Sequence, residues 1–151
     1  MAISEDVIRQ RVAAAIGSDS EWREAPLAWG LYGRDPAQIG PHRYAVGVPD
    51  SRNRDPRPER NSPQAMAWFE TTVAVRWSWT VPVTDNVAGY DAGLQAQNEI
   101  IASIYDMSRK GIPGFTLTSA RRAIEATGKY LLGDLTFLAL HMKQLRPPVS
   151  E

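Results

Sequence analysis

The sequence predicts an α+β domain with a mostly antiparallel sheet of about four strands and helices packed on one face. Three observations predict this class: a long segment with a period of two, two segments with helical spacing, and a pair of apolar arms around a turn. The domain is expected to span residues 1–146, with a flexible tail at 147–151. A chain of 151 residues is long enough to bury one core.

The segment ETTVAVRWSWTVPV, from Glu70 to Val83, predicts a long strand. Its odd positions from Thr71 onward are apolar or β-branched and most of its even positions are polar, which indicates one buried face. At roughly 3.3 Å per residue it would extend about 45 Å. The usual strand has about five or six residues, so this one favours assembly through the sheet.

Before this strand, the sequence predicts a helix, an ambiguous segment, a short strand and a long loop. Apolar residues at helical spacing run from Ile3 to Ile16, with Ser4 as the N-cap and Gly17 at the end. Between residues 18 and 40, a short strand or an irregular packed segment is suggested by the aromatic stretch Leu27, Trp29, Leu31 and Tyr32. HRYAVGV, residues 42–48, predicts a strand that returns through the polar loop 49–63 to the long strand as an antiparallel hairpin.

After the long strand, the sequence predicts a second helix and a second hairpin. Asp85 or Asn86 is expected to cap the helix, whose apolar stripe is Tyr90, Leu94, Ile101, Ile104 and Tyr105, interrupted by Gln97. The hairpin arms flank the turn at 127–129. Residues 119–126 are ambiguous between strand and helix, whereas 135–145 predicts a central strand covered on both sides.

Composition excludes several classes of function. Seventeen Lys plus Arg balance seventeen Asp plus Glu, so no overall charge attracts nucleic acid or an anionic membrane. The absence of cysteine excludes disulfides and thiol chemistry. No apolar run approaches the roughly 18 residues that span a bilayer, and the N-terminus lacks the apolar part of a signal peptide. We expect a soluble protein.

The sequence contains no recognisable catalytic, metal or phosphate-binding motif. His42 and His141 lie on separate predicted strands without a second ligand at metal-binding spacing. We therefore expect no enzyme activity, cofactor or metal. One alternative remains open, in which Trp29, Tyr32 or His42 lines a pocket for a small ligand.

Arginines are the best candidates for an interaction surface. Four lie in the predicted long loop, one lies on the polar face of the long strand, and two lie on the first arm of the second hairpin. These candidate interface residues are Arg52, Arg54, Arg57, Arg60, Arg76, Arg121 and Arg122. Guanidinium groups form bidentate pairs with carboxylates. Asp50, Asp55 and Glu59 offset much of the loop charge, which favours assembly contacts over DNA contacts.

The order of these segments resembles the tail-terminator (tail-completion) proteins of long-tailed bacteriophages. The resemblance is carried by VIRQRVAAAIG, the long loop, ETTVAVRWSWTVPV, YDAGLQAQNEIIASIYD and YLLGDLTFLALHM, and covers most of the chain. These are patterns rather than fixed-residue signatures. Other phage neck and tail ring proteins, including the stopper below the connector, share similar small folds, so they remain an alternative.

The resemblance implies a structural role in the virion. A homo-hexameric ring would cap the tail tube, end its polymerisation and give the neck a surface to join. The implied partners are the chain itself, the tail tube protein and the neck or stopper protein. DNA would pass through the ring without sequence-specific binding, and the ring would be assembled in the host cytoplasm.

Overall fold

The computed structural model describes residues 2–19, 21–25, 40–54 and 66–145. These residues form two helices and five strands, in the order α1 (Glu5–Gly17), β1 (Arg23–Glu24), β2 (Arg43–Asn53), β3 (Met66–Thr80), α2 (Asn86–Ser108), β4 (Thr116–Ile124) and β5 (Tyr130–Gln144). The predicted α+β class is confirmed. The loop residues 55–65, the tail 147–151, and Trp29 and Tyr32 lie outside the described residues.

The sheet has five strands and is mixed, whereas the sequence predicted about four and a mostly antiparallel arrangement. The strand order is β1-β2-β3-β5-β4. Strand β1 runs parallel to β2, and the other three pairs are antiparallel. The additional strand is β1, which has only two residues. Two residues are too few to show a period of two, which is why the sequence left this region undecided.

Strands β3 and β5 form the centre of the sheet, paired without interruption from Met66 opposite Gln144 to Thr80 opposite Tyr130. The long strand was predicted at 70–83, but it begins four residues earlier and ends at Thr80. Pro82 has no backbone N–H to continue a ladder. The last contact of this ladder is Val81 N donating to Lys129 O at 2.8 Å.

The hairpin of β2 and β3 is longer than predicted and its loop is shorter. Strand β2 continues to Asn53, because residues 50–53 pair with residues 69–72 of β3. Polar residues such as Asp50 and Ser51 fit this part of the strand because it is exposed or partly exposed. The register shifts between Gly47 and Asp50. Pro49 lies in this irregularity, where a missing N–H costs no ladder bond.

The two sides of the sheet differ in composition. The helix face is the side that α1 and α2 cover; its buried residues on β3 and β5 include Thr71, Val73, Val75, Trp77, Leu131, Leu135, Phe137, Ala139 and His141. The outer face is the opposite side and carries Trp68, Glu70, Thr72, Ala74, Arg76, Leu132, Asp134, Thr136, Leu138, Leu140 and Met142. The prediction that β5 is covered on both sides is wrong, because its outer-face residues are only partly buried.

Helix α1 agrees closely with its prediction. It buries Ile8, Val12, Ala13 and Ile16 against the sheet and α2. Ser4 occupies the N-cap position but makes no side-chain cap hydrogen bond. Its hydroxyl instead donates to the carboxylate of Asp6.

Helix α2 buries a stripe that shares only Ile104 with the predicted one. Asp85 caps it, as predicted, accepting a hydrogen bond from Ala88 N at 3.2 Å. The residues that it buries are Gly89, Gly93, Ala96, Gln97, Ile100, Ile104 and Ser108. A Cβ on Gly93 would lie 2.8 Å from the Leu131 side chain. The small residues therefore let the helix approach the sheet, and the larger predicted residues flank this contact.

The second hairpin is confirmed, and its ambiguous arm is a strand. Strand β4 runs from Thr116 to Ile124 and pairs with β5, with a register shift between Leu117 and Ser119. Strand β5 begins at Tyr130, five residues before the predicted start at Leu135. Neither helix in the described ranges is long and apolar enough to cross a membrane.

Candidate assembly surface

The centre of the outer face carries two arginines around one carboxylate. Arg76 on β3 lies opposite Asp134 on β5, with 3.4 Å between Arg76 Nε and Asp134 Oδ1. Arg121 on β4 lies opposite Asp134 from the other side. Together with Pro49, Ala74, Ser119 and Thr136 they line an open groove of about 690 Å³. Two guanidinium groups against one carboxylate leave a local excess of positive charge.

A second arginine pair lies toward the far end of the same face. Arg52 on β2 is opposite Glu70 on β3, and Arg54 forms an ion pair with the same carboxylate. The exposed Trp68 lies next to them on β3 and opposite Met142. Arg57 and Arg60, which the sequence placed with Arg52 and Arg54, lie outside the described residues. The structure therefore brings Arg52, Arg54, Arg76 and Arg121 to one side of the sheet in two separate groups.

Arg122 lies on the helix face instead. It is opposite Gly133, whose other cross-strand neighbour is the buried Trp77. Its Nη1 donates to Oε1 of Gln97 on α2 at 3.3 Å. The consecutive residues Arg121 and Arg122 therefore present their charges on opposite faces of β4, as the alternation of a strand requires.

Strands β1 and β4 form the two edges of the sheet. No strand in the described ranges pairs beyond either of them. Most side chains of β4 are exposed. An exposed edge presents backbone donors and acceptors for pairing with another chain.

Near the β1 edge, the acidic residues are Asp19, Glu21 and Glu24. Glu24 forms a long ion pair of 3.5 Å with Arg9 of α1. Glu24 lies opposite Tyr44 of β2. The hydroxyl of Tyr44 donates a hydrogen bond to Ala13 O at 2.8 Å. Burial raises the pKa of Tyr44 above its ordinary value, and the charge of Glu24 raises it further.

His42 belongs to an aromatic cluster at the start of β2. Its ring stacks on Trp79 with 3.8 Å between ring centroids, and Trp22 contacts both rings. Burial lowers the pKa of His42 below its ordinary value of 6.5, and the charge of Glu21 opposes part of this effect. The backbone of His42 has a φ of 52°. This environment favours neutral imidazole and packing between rings.

His141 is fully buried and joins three segments of the chain. Its Nδ1 lies 2.8 Å from Ile3 O, so this nitrogen carries the proton and donates. In the neutral ring Nε2 then accepts from the Thr71 hydroxyl at 2.7 Å. Ser51 and Thr71 share a further hydrogen bond of 2.8 Å. Within the described ranges, no group of three or more His, Asp or Glu side chains could hold a metal ion.

Sequence reasoning missed the acidic partners of the arginines. Neither Asp134, which pairs with Arg76, nor Glu24, which pairs with Arg9, belongs to a recognisable sequence motif. The period of β5 could have placed Asp134 opposite the apolar face, but only the strand order shows that Arg76 and Arg121 flank it. The buried face predicted for the long strand is confirmed at Trp77, which is fully buried.

Comparison with protein-family models and with curated proteins gave no match. Among solved structures, one from Akkermansia muciniphila, determined without its transmembrane region, has 11% identity and a TM-score of 0.35, covering 97% of this chain and 90% of that chain. A crystal structure from the same organism has 12% identity and a TM-score of 0.35, covering 100% and 83%. Likenesses this weak carry no argument about fold or function.

Proposed function

We propose that this chain is a structural virion protein that forms a ring at the head-proximal end of a phage tail tube. The ring ends tube polymerisation and provides the joining surface for the neck. Its partners are other copies of the chain, the tube protein and the neck or stopper protein, and DNA passes through it. The role requires no reaction and no cofactor, and places the protein in the tail or neck of the virion.

The observation that carries the proposal is the open sheet. Its two edges are strands without a further strand in the described residues. Rings form when one surface of a subunit binds a different surface of the next and the rotation closes. A sheet open at both edges offers two such different surfaces on one subunit.

The outer face supplies a third surface, which we assign to the tube protein. It combines Trp68, which is 39% exposed, with partly buried leucines and with Arg76 and Arg121. Aromatic residues and arginine are enriched at protein interfaces. A ring subunit needs contacts of this kind in addition to those with its neighbours, because it also binds the end of the tube.

Light scattering and electron microscopy test the proposal. The protein is measured at several concentrations, alone and with the tube protein encoded in the same genome. We expect a closed ring, hexameric as the resemblance to tail terminators implies, and tubes that stop growing when it is added. A monomer that leaves tube growth unchanged would contradict the proposal. Binding to the connector instead of the tube would favour the stopper.

Two matched substitutions locate the tube contact. Trp68→Ser removes an exposed apolar side chain from the outer face, and Val87→Ser removes one from the start of α2, where it is 70% exposed. We expect only Trp68→Ser to weaken the arrest of tube growth. If both variants arrest tube growth equally well, the outer face does not contact the tube.

A further inference from the structure

The two edge strands carry opposite charges on the helix face. On β1 the charged side chain of this face is Glu24, whereas Arg23 and the neighbouring Arg43 of β2 lie on the outer face. On β4 the charged side chain of this face is Arg122, whereas Arg121 lies on the outer face. Complementary charge is what a head-to-tail contact between identical subunits needs.

We propose that copies of this chain join edge to edge, with β1 of one copy pairing with β4 of the next through Glu24 and Arg122. This inference rests on the proposed ring, whose subunit contact it identifies. The directions of the strands support it. Strand β1 runs parallel to β2, and three antiparallel steps lead from β2 to β4, so β1 and β4 run in opposite directions. Copies related by rotation about an axis that runs along the strands would therefore join antiparallel, which avoids the slightly less stable parallel ladder.

The faces of the two side chains also agree. Glu24 is the partner of the buried Tyr44, so it lies on the helix face of β1. Arg122 contacts Gln97 of α2, so it lies on the helix face of β4. Residues that are opposite each other in a pair of strands share a face. Glu24 of one copy and Arg122 of the next can therefore meet on the same side of the joined sheet.

The register that pairs Glu24 with Arg122 brings no like charges directly opposite. In an antiparallel ladder, a step forward on one strand is a step back on the other. Arg23 then lies opposite Ala123, and Ala25 lies opposite Arg121. A shift of the register by one residue would place the side chains of Glu24 and Arg122 on different faces of the joined sheet. The charges thus specify one register.

Space for the incoming guanidinium exists beside Glu24. An open groove of about 420 Å³ lies between α1 and β1 and is lined by Arg9, Gly17, Glu24 and Tyr44, among others. The present contacts of both residues are long, at 3.5 Å from Glu24 to Arg9 and 3.3 Å from Arg122 to Gln97. A bidentate pair between carboxylate and guanidinium is shorter and stronger than either.

Charge reversal tests the contact. Glu24→Arg and Arg122→Glu are each measured by light scattering under the conditions in which the wild type forms rings. Each variant alone places like charges across every junction. We therefore expect its association to be weaker than that of the wild type by at least about tenfold. An equimolar mixture restores every junction if the two variants alternate. We expect the mixture to form rings with equal amounts of both chains.

Exposed charges away from both edges provide the controls. Glu99→Arg and Lys110→Glu reverse charges on and just after α2, and we expect both to assemble like the wild type. Urea unfolding confirms that each variant is folded. Rings from Glu24→Arg alone, or a mixture that stays dissociated, would overturn the edge contact while the wild-type rings still support the proposed function. A wild type that never assembles, alone or on the tube, would overturn both.

Discussion

At the scale of the residue, His141 shows how one buried side chain orders distant parts of the chain. It connects Ile3, β5 and, through Thr71 and Ser51, the hairpin of β2 and β3. A buried polar group keeps its place only while its partners are present, because a lost partner leaves it unsatisfied.

Replacing Thr71 with valine tests this network. The variant retains the shape of the side chain but removes the donor to His141 Nε2 and the partner of Ser51. We expect the free energy of unfolding to fall by about 1–3 kcal/mol. The matched variant Thr72→Val changes the neighbouring, partly buried position on the outer face and should cost far less. Urea denaturation measures both, and equal losses would contradict the role of the network.

His42 predicts a pH dependence of stability. Its folded-state pKa lies below the ordinary value, because burial disfavours the charged ring. As the pH falls through about 6.5, the unfolded chain therefore takes up the proton first. The free energy of unfolding should decrease from neutral pH downward and level off below the folded-state pKa.

The variant His42→Asn isolates this component, since asparagine tolerates the positive φ. Urea unfolding at several pH values between neutral and the folded-state pKa should give a shallower slope for the variant than for the wild type. Identical slopes would show that His42 titrates alike in the folded and unfolded chains.

At the scale of the element, the contact between β3 and β5 requires that residue 133 has no side chain, which only glycine provides. A Cβ at this position would lie 2.0 Å from Cε2 of the buried Trp77. We expect Gly133→Ala to cost about 2–3 kcal/mol through overpacking. Gly128→Ala is the control, because nothing lies within 4 Å of its Cβ and only the φ of 75° opposes alanine. It should cost about 1 kcal/mol; a larger loss there than at Gly133 would contradict the packing argument.

The elements with the strongest local pattern were the most predictable from the sequence. Strand β3 follows from its period of two, and the bounds of α1 follow from its apolar spacing. The end of β2 could not be predicted, because Asp50 to Asn53 have the composition of a loop and become a strand only by pairing with β3. The predicted stripe of α2 left out Gly89 and Gly93, because glycine carries no hydrophobic signal. These two glycines nevertheless lie close to Pro82 and to the sheet residues Trp79 and Leu131.

At the scale of the whole molecule, the candidate surface depends on strand order, which the local sequence does not encode. Arg76 and Arg121 were candidates on residue type alone, and the sheet places them on either side of Asp134. Arg122 was grouped with Arg121 but belongs to the other face. Glu24 had no distinguishing signal, because the role proposed for it depends on its place on β1, the edge strand at the other side of the sheet from β4.

Ionic strength provides a further test of the assembly. Charges across an exposed junction are screened within about 10 Å at 0.1 M salt and about 3 Å at 1 M. We therefore expect rings of the wild type to dissociate as sodium chloride is raised. The doubly substituted chain Glu24→Gln and Arg122→Gln should assemble more weakly and respond less to salt. Light scattering across a salt series measures the association of the wild type and of the doubly substituted chain. The same salt dependence in both would argue against an ionic junction.

The position of β5 has a consequence for the synthesis of the protein. Among the described strands it is the last along the chain, yet it lies between β3 and β4, and β4 reaches the sheet only through it. Its far end also holds the first residues, through Ile3 N donating to Met142 O at 2.8 Å. A nascent chain that has not yet released β5 from the ribosome therefore exposes the bare edge of β3. We expect the sheet to close only after translation of this strand, and chaperones that shield unpaired edges to matter most during that interval.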